Sequence, residues 1–264
     1  MSRRCPEIIA AVSDVQGAVT LQFHPDWPHA ERMVIESMAA DGTYRSQFAT
    51  GISNGGLTAY PGGDRWRWES RLFGGRYDDA DPEERPVYGA WNRRNDPYGG
   101  AIRFGSSYVQ LRRHVLQRAT FCFPDSFYEP TDFGGPEALP HLCALADSSG
   151  FDDLDECVEA QVHGPVRFGT DVEAIVLDPC FAGSPVAAAA ARTGCAVRFH
   201  PGFRVATASL EPDYRGEEYV ALARSLGSVL TPDVIGRAAR TGQHDPQALK
   251  RVWHYLARFG RLQL

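Results

Sequence analysis

Apolar and polar residues alternate along several short stretches of this chain, and between them run segments whose apolar residues recur at helical spacing. "AVTLQFHP" (18–25) alternates and stops at a proline, which predicts a strand. "PDWPHAERMVIESMAADG" carries its apolar residues at helical spacing and ends on Gly42, which predicts a helix with a glycine stop. "TYRSQFATG" predicts a strand with Arg45 in its middle, running into the glycine-rich turn "GISNGGLTAYPGGD". "RWRWESRLFGG" predicts a short helix with two tryptophans, while "VYGAWNRR" fits a strand or a short helix. "IRFGSSYVQLRR", "ATFCFPDS" and "VEAIVLD" predict further strands. Residues 124–155 read as a long acidic loop with one short helix around "GPEALPHLCALA". From about residue 182 the pattern turns helical, in "SPVAAAAARTG", "EEYVALARSLGSVLTPDVIGRAARTG" and "DPQALKRVWHYLARFG". The expectation is an α+β protein: strands between about 18 and 178, then a helical C-terminal part packed on them.

One predicted strand stands apart. In "CVEAQVHGPV" (157–166), Val158, Ala160 and Val162 share one face, and Cys157, Glu159, Gln161 and His163 share the other. A face carrying a carboxylate, an amide and an imidazole either looks into water or floors a cleft. His163 reads as structural.

Composition narrows the classes. The chain has 264 residues, 43% hydrophobic and 23% charged, as a water-soluble globular protein does. No apolar run approaches the ~20 residues of a membrane helix, and "MSRRCPEIIAAVSDVQG" lacks a signal-peptide core. No membrane association is therefore expected. The six cysteines have no CxxC spacing and read as reduced thiols, not as a zinc site. Of the 27 basic residues only Lys250 is a lysine. Arginines crowd residues 65–118, whereas residues 119–166 contain no Lys or Arg and ten acids, with "DDLDE" just ahead of Glu159. That polarity argues against nucleic acid and for a basic partner.

Three polar groups on predicted strands come in the order Arg45, Ser106 or Ser107, Glu159. This order resembles the Arg–Ser–Glu signature of toxin-type ADP-ribosyltransferases. Together, "YRSQFATGISNGG", "DRWRWESRLFGG", "RFGSSYVQLRRHVLQRATFCFPDS" and "EAQVHGPV" resemble the bacterial effector family typified by CteC, which modifies a threonine of ubiquitin.

The resemblance implies a split two-sheet NAD-binding core over residues 1–181, with the helical part at 182–264. It also implies a virulence effector made in the bacterial cytoplasm and delivered into a host cell, using NAD as co-substrate and no metal. Glu159 would stabilise the positive charge that develops as the ribose–nicotinamide bond breaks, and Ser106 or Ser107 would fix its rotamer. Arg45 would fork onto the diphosphate. Phe48 or Tyr108 would stack on nicotinamide, with Thr50, Gly51 and Asn54 as close contacts and Gln161 beside Glu159.

Arginine-modifying members usually carry an acid where this chain has Cys157, so a hydroxyl acceptor is expected. Two competing readings are a metal-dependent hydrolase using His24, Asp26 and His29 in "FHPDWPH", and a non-catalytic ubiquitin- or NAD-binding module.

Overall fold

The structure is a computed structural model that describes residues 16–52 and 58–262. Its centre is one mixed sheet of eight strands: β1 (Val19–Phe23), β2 (Val87–Trp91), β3 (Ser107–Leu111), β4 (Ala119–Phe123), β5 (Asp132–Gly134), β6 (Glu159–Val162), β7 (Val172–Leu177) and β8 (Ala196–Phe199). Across the sheet their order is β8-β7-β3-β1-β2-β6-β4-β5, with only β7 and β8 parallel. The helices of eight residues or more are α1 (Val34–Asp41), α2 (Asp64–Leu72), α3 (Leu139–Ser148), α4 (Pro185–Arg192), α5 (Glu217–Leu226), α6 (Pro232–Thr241) and α7 (Pro246–Phe259). The α+β class read from the pattern is the observed one. Among the described residues no helix is long and apolar enough to cross a membrane.

The alternation does its expected work. Val19, Leu21 and Phe23 of β1, Val109 and Leu111 of β3, Phe121 of β4, and Ala160 and Val162 of β6 point into one core with Ile35, Leu142 and Val186 from α1, α3 and α4. The opposite face is polar and still buried. A second core joins Trp27, Tyr98 and Ile102 to Val220, Ile235, Leu249, Val252 and Trp253 of the C-terminal helices. The part after residue 182 therefore does more than pack on the outside: it adds β8 to the sheet and shares a core with the strand region.

Two features of this sheet position the site. The strands form one hydrogen-bonded sheet where two separate sheets were expected. Yet its centre is thinly joined, since β1 and β2 pair only at Val19–Trp91 and Thr20–Ala90. Beyond those pairs the strands part, and the Tyr44 hydroxyl donates to Gln22 O at 3.1 Å. Gly89 permits the last close approach, because a Cβ there would lie 2.5 Å from the Thr20 carbonyl oxygen.

Local chemistry explains the other departures. "TYRSQF" is extended only at Thr43–Tyr44, because the Ser46 hydroxyl accepts from Ala49 N at 3.1 Å and starts a short helix, Gln47–Thr50. The segment ahead of α1 forms a small hairpin, Pro28–His29 against Arg32–Met33, and only the last part of that predicted helix is helical. It stops at Gly42, whose φ of 67° suits glycine. The strand in "IRFGSSYVQLRR" is shorter than the pattern suggested, because Ile102–Phe104 makes a tight helical turn ahead of it.

Candidate functional site: a carboxylate at the parting of two strands

A cavity of about 340 Å³ sits where β1 and β2 part, within the size range of small-molecule sites. β1 contributes Thr20 and Gln22, β2 contributes Tyr88 and Ala90, and Glu159 enters from β6. Arg65 of α2 closes one side, and Leu249 and Lys250 of α7 close another. Among the described lining residues, three side chains are cationic (Arg45, Arg65, Lys250) and one is a carboxylate, Glu159. Two of these cations face carboxylates, Arg45 those of Glu83 and Asp41, and Arg65 that of Glu159.

The polar face of β6 is a floor and not a wet surface: Glu159 is 7% exposed and Gln161 0%. A buried carboxylate is costly unless it is hydrogen-bonded, and Glu159 is. Ser126 Oγ donates to Glu159 Oε2 at 2.9 Å and accepts from Arg65 NH1 at 2.6 Å. The Arg65 guanidinium itself lies 3.7 Å from the carboxylate. Gln161 Nε2 donates to Glu159 Oε1 at 2.9 Å.

From Gln161 the bonds run on in one direction. The Thr120 hydroxyl donates to Gln161 Oε1 at 3.0 Å, so it must accept from His163 Nε2, also at 3.0 Å. That makes His163 the Nε2–H tautomer and leaves Nδ1 to accept from the Tyr77 hydroxyl at 2.8 Å. Tyr77, His163, Thr120 and Gln161 thus form a chain whose last donor grips Glu159. This is why Glu, Gln and His follow one another on a single strand face. Burial, with the charges of Arg76 and Arg118, lowers the His163 pKa to about 4, so the neutral ring the chain requires is the one present at pH 7.

α2 holds Arg65 in place. Its guanidinium stacks over the Tyr88 ring at 4.4 Å and the Trp68 ring at 5.1 Å. The Tyr88 hydroxyl donates to the buried Glu69 at 2.9 Å, and Arg85 pairs with the same carboxylate at 2.6 Å. Cys157 lines the cavity beside Glu159, but burial and the charges of Asp125 and Glu159 push its thiol well up, which keeps it protonated and a poor nucleophile. Burial and the charge of Glu159 also raise Asp125 above the usual carboxylate range.

The structure gathers some of the sequence candidates and separates others. Glu159, Arg45, Thr50 and Gly51 line one cavity. Gln161 sits behind Glu159, as just described. Ser106 and Ser107 do not reach Glu159: they lie at the start of β3, with β1 and β2 between it and β6, and their hydroxyls have no partner among the described residues. The hydroxyl that orients the carboxylate is that of Ser126. Phe48 stays outside the cavity lining, packed under the Arg85 guanidinium at 4.2 Å. Tyr108 on β3 donates to Pro97 O at 3.0 Å and also lies outside the lining. Asn54 falls outside the described residues.

Arg45 departs from its expected role most sharply. It lies at the exposed rim, not mid-strand, with Nε and NH2 both on Glu83 and NH1 3.4 Å from Asp41. The acidic segment is also less free than its composition suggests. Arg258 pairs with Asp152, Arg103 with Asp155 at 2.6 Å, and Arg93 with Glu156 at 2.7 Å, so much of its charge is balanced within the chain.

In the metal reading of "FHPDWPH", two of the three residues make other contacts. Asp26 pairs with Arg240 at 2.8 Å, and the His24 ring stacks on Trp27 with centroids 4.5 Å apart. Gly236 makes the Asp26 contact possible, since a Cβ there would lie 1.8 Å from Asp26 Oδ2.

Sequence pattern alone missed Ser126, Arg65, Tyr88 and Lys250. Ser126 ends "ATFCFPDS" and Arg65 sits in "DRWRWESRLFGG", so both fell within stretches already singled out. Lys250 was visible as the one lysine of the chain, with nothing in the pattern to place it in the cavity.

A family model described as "Protein of unknown function (DUF3626)" matches residues 18–149 and 138–263. No curated protein matches the chain.

Proposed function

The chain belongs to the DUF3626 family, and from that premise and the cavity's geometry we propose that it is a mono-ADP-ribosyltransferase that moves ADP-ribose from NAD to a hydroxyl side chain, a threonine of ubiquitin. The observation that carries this reading is Glu159: a buried carboxylate held by hydrogen bonds from Ser126 and Gln161, in a cavity whose other charged lining groups are cations. A carboxylate suits a developing positive charge, and the cations suit a diphosphate. The cavity opens where β1 and β2 part, within one sheet, and Glu159 is at its floor.

NAD supplies an ADP-ribosyl group already joined to a leaving group, nicotinamide. Glu159 stabilises the ribose as its bond to nicotinamide breaks and the electron pair departs on the ring nitrogen. The acceptor oxygen then bonds to the ribose carbon, and the hydroxyl proton is released to solvent. Ser126 and Gln161 keep the carboxylate in one rotamer throughout, so no reorganisation is needed at the moment of transfer. Cys157 stands where an arginine-modifying enzyme of this class carries a second acid, which favours the hydroxyl acceptor.

The test is intact-mass analysis of ubiquitin after incubation with the protein and NAD, followed by mapping of the adduct. A single ADP-ribose on a threonine is the expected result. An adduct on arginine, or NAD hydrolysis with ubiquitin unmodified, would overturn the reading.

A further inference from the structure

We propose that the end of the cavity built by Gln22, His24 and Trp27 is a subsite for an uncharged purine that carries an exocyclic amino group, as adenine does. The subsite deepens the dinucleotide reading above and rests on it. It also gives a role to two residues of "FHPDWPH".

The cavity has two ends of different character. At one, Glu159 and Arg65 supply charge beside Tyr88 and Ala90 of β2. Thr20 pairs with Ala90, and Ala90 pairs with Glu159, so that end lies over the first half of β1. His24 stands just past the end of β1, four residues beyond Thr20 and roughly 13 Å farther along at strand spacing. Thr20, Gln22 and His24 alternate onto the face that Val19, Leu21 and Phe23 leave, and all three line the cavity.

At the His24 end, apolar groups surround a few uncharged polar atoms. Trp27 and Leu249 belong to the second core, Val34 packs against it, and all three line the cavity. The His24 ring stacks on Trp27, with centroids 4.5 Å and planes 15° apart, and meets Trp253 edge-on at 5.0 Å. His24 is 4% exposed, Gln22 6% and Trp27 9%. Gln22 Oε1, His24 Nε2 and Trp27 Nε1 are buried with no hydrogen-bond partner among the described residues. The Gln22 amide is held in one orientation, because its Nε2 donates to Tyr98 O at 3.0 Å. Gly99 allows that pose, since a Cβ there would lie 2.4 Å from Gln22 Oε1.

Buried polar atoms on a cavity wall call for a ligand that completes them. Such a ligand must donate to the Gln22 oxygen and accept from the Trp27 N–H. Burial, with the charge of Lys250, lowers the His24 pKa to about 3, so its ring is neutral at pH 7. All three groups are therefore uncharged and favour hydrogen bonds and shape. A purine whose amino group donates, and whose adjacent ring nitrogen accepts, meets these terms. Hypoxanthine, with a carbonyl and a ring N–H on the same edge, presents the reverse. A ligand that spans both ends sets its base here while its reacting ribose meets Glu159.

Calorimetric titration of AMP, IMP, NAD and nicotinamide hypoxanthine dinucleotide against wild type and Trp27→Phe tests this. AMP and IMP differ only on the edge in question, so their ribose and phosphate contacts cancel. AMP should bind wild type roughly tenfold to a hundredfold more tightly than IMP, because the oxo base sets acceptor against acceptor and donor against donor. NAD and its hypoxanthine analogue should differ in the same sense. Trp27→Phe keeps a ring against His24 but removes the N–H, and should narrow the preference for AMP by roughly threefold to tenfold. The wild-type comparison needs no variant, so it stands even where Trp27→Phe fails to fold. AMP and IMP bound equally, IMP bound more tightly, or neither bound would overturn the proposal. So would a folded Trp27→Phe protein that keeps the full preference. A preference for AMP without transfer from NAD to ubiquitin would uphold the subsite and sink the transferase reading. Transfer that proceeds equally well from NAD and from its hypoxanthine analogue would do the reverse.

Discussion

Replacing Ser126 by alanine removes one hydroxyl and two hydrogen bonds. The bond to Glu159 Oε2 (2.9 Å) fixes the carboxylate, and the bond from Arg65 NH1 (2.6 Å) holds the guanidinium off it. Without the hydroxyl, Glu159 keeps Gln161 on Oε1, and nothing separates Oε2 from Arg65, now 3.7 Å away. The carboxylate should turn toward the arginine and form a direct pair, spending on Arg65 the charge that the ribose requires. A hydrogen bond to a charged group is worth about 1.5–3 kcal/mol, so kcat should fall roughly tenfold to a hundred-and-fiftyfold. KM for NAD should move little, because the loss is specific to the transition state. Ser126→Thr keeps the hydroxyl and should recover much of kcat, which separates positioning from simple packing damage. Ser106→Ala and Ser107→Ala serve as controls: their hydroxyls have no partner among the described residues, and transfer should be unaffected. The assay is single-turnover transfer to ubiquitin alongside melting temperature. A Ser126→Ala enzyme within about twofold of wild type in kcat, or an equal loss in Ser106→Ala, would refute the assignment.

Glu159→Gln should lower transfer by on the order of 10²–10³ while NAD still binds, as for other lost electrostatic stabilisers; near-normal turnover would remove Glu159 from the mechanism. His163 gives a pH signature. Its folded pKa, about 4, lies below the ordinary histidine value of 6.5, so the unfolded chain binds its proton more readily and the native state loses stability as pH falls from about 6.5 toward 4. His163→Gln cannot take up that proton, so its melting-temperature deficit against wild type should narrow over the same interval. A deficit that stays constant with pH would mean that His163 does not titrate as the chain from Tyr77 to Glu159 requires.

The alternation of Val158, Ala160 and Val162 with Glu159, Gln161 and His163 is a local property. A strand's side chains point to alternate faces whatever surrounds it, so the sequence alone placed Glu159, Gln161 and His163 together on a polar face. Composition and helical spacing likewise determined the α+β class and the helices after residue 182. What the sequence could not determine is which groups converge on Glu159 from afar. Ser126 follows it in no pattern, standing 33 residues earlier in the chain at a turn beside β4, and it displaced Ser106 and Ser107 only because β4, not β3, is the neighbour of β6. Arg45 was misplaced for a similar reason: the Ser46 cap ends its strand and Glu83 claims its fork. Lys250 reached the cavity only through the docking of α7 by Trp253 on the segment before β3. Periodicity reports which way a side chain faces within its own element. The order of strands in a sheet and the docking of helices on it are set by burial summed over the whole chain, and those choices, made at long range, assembled the site.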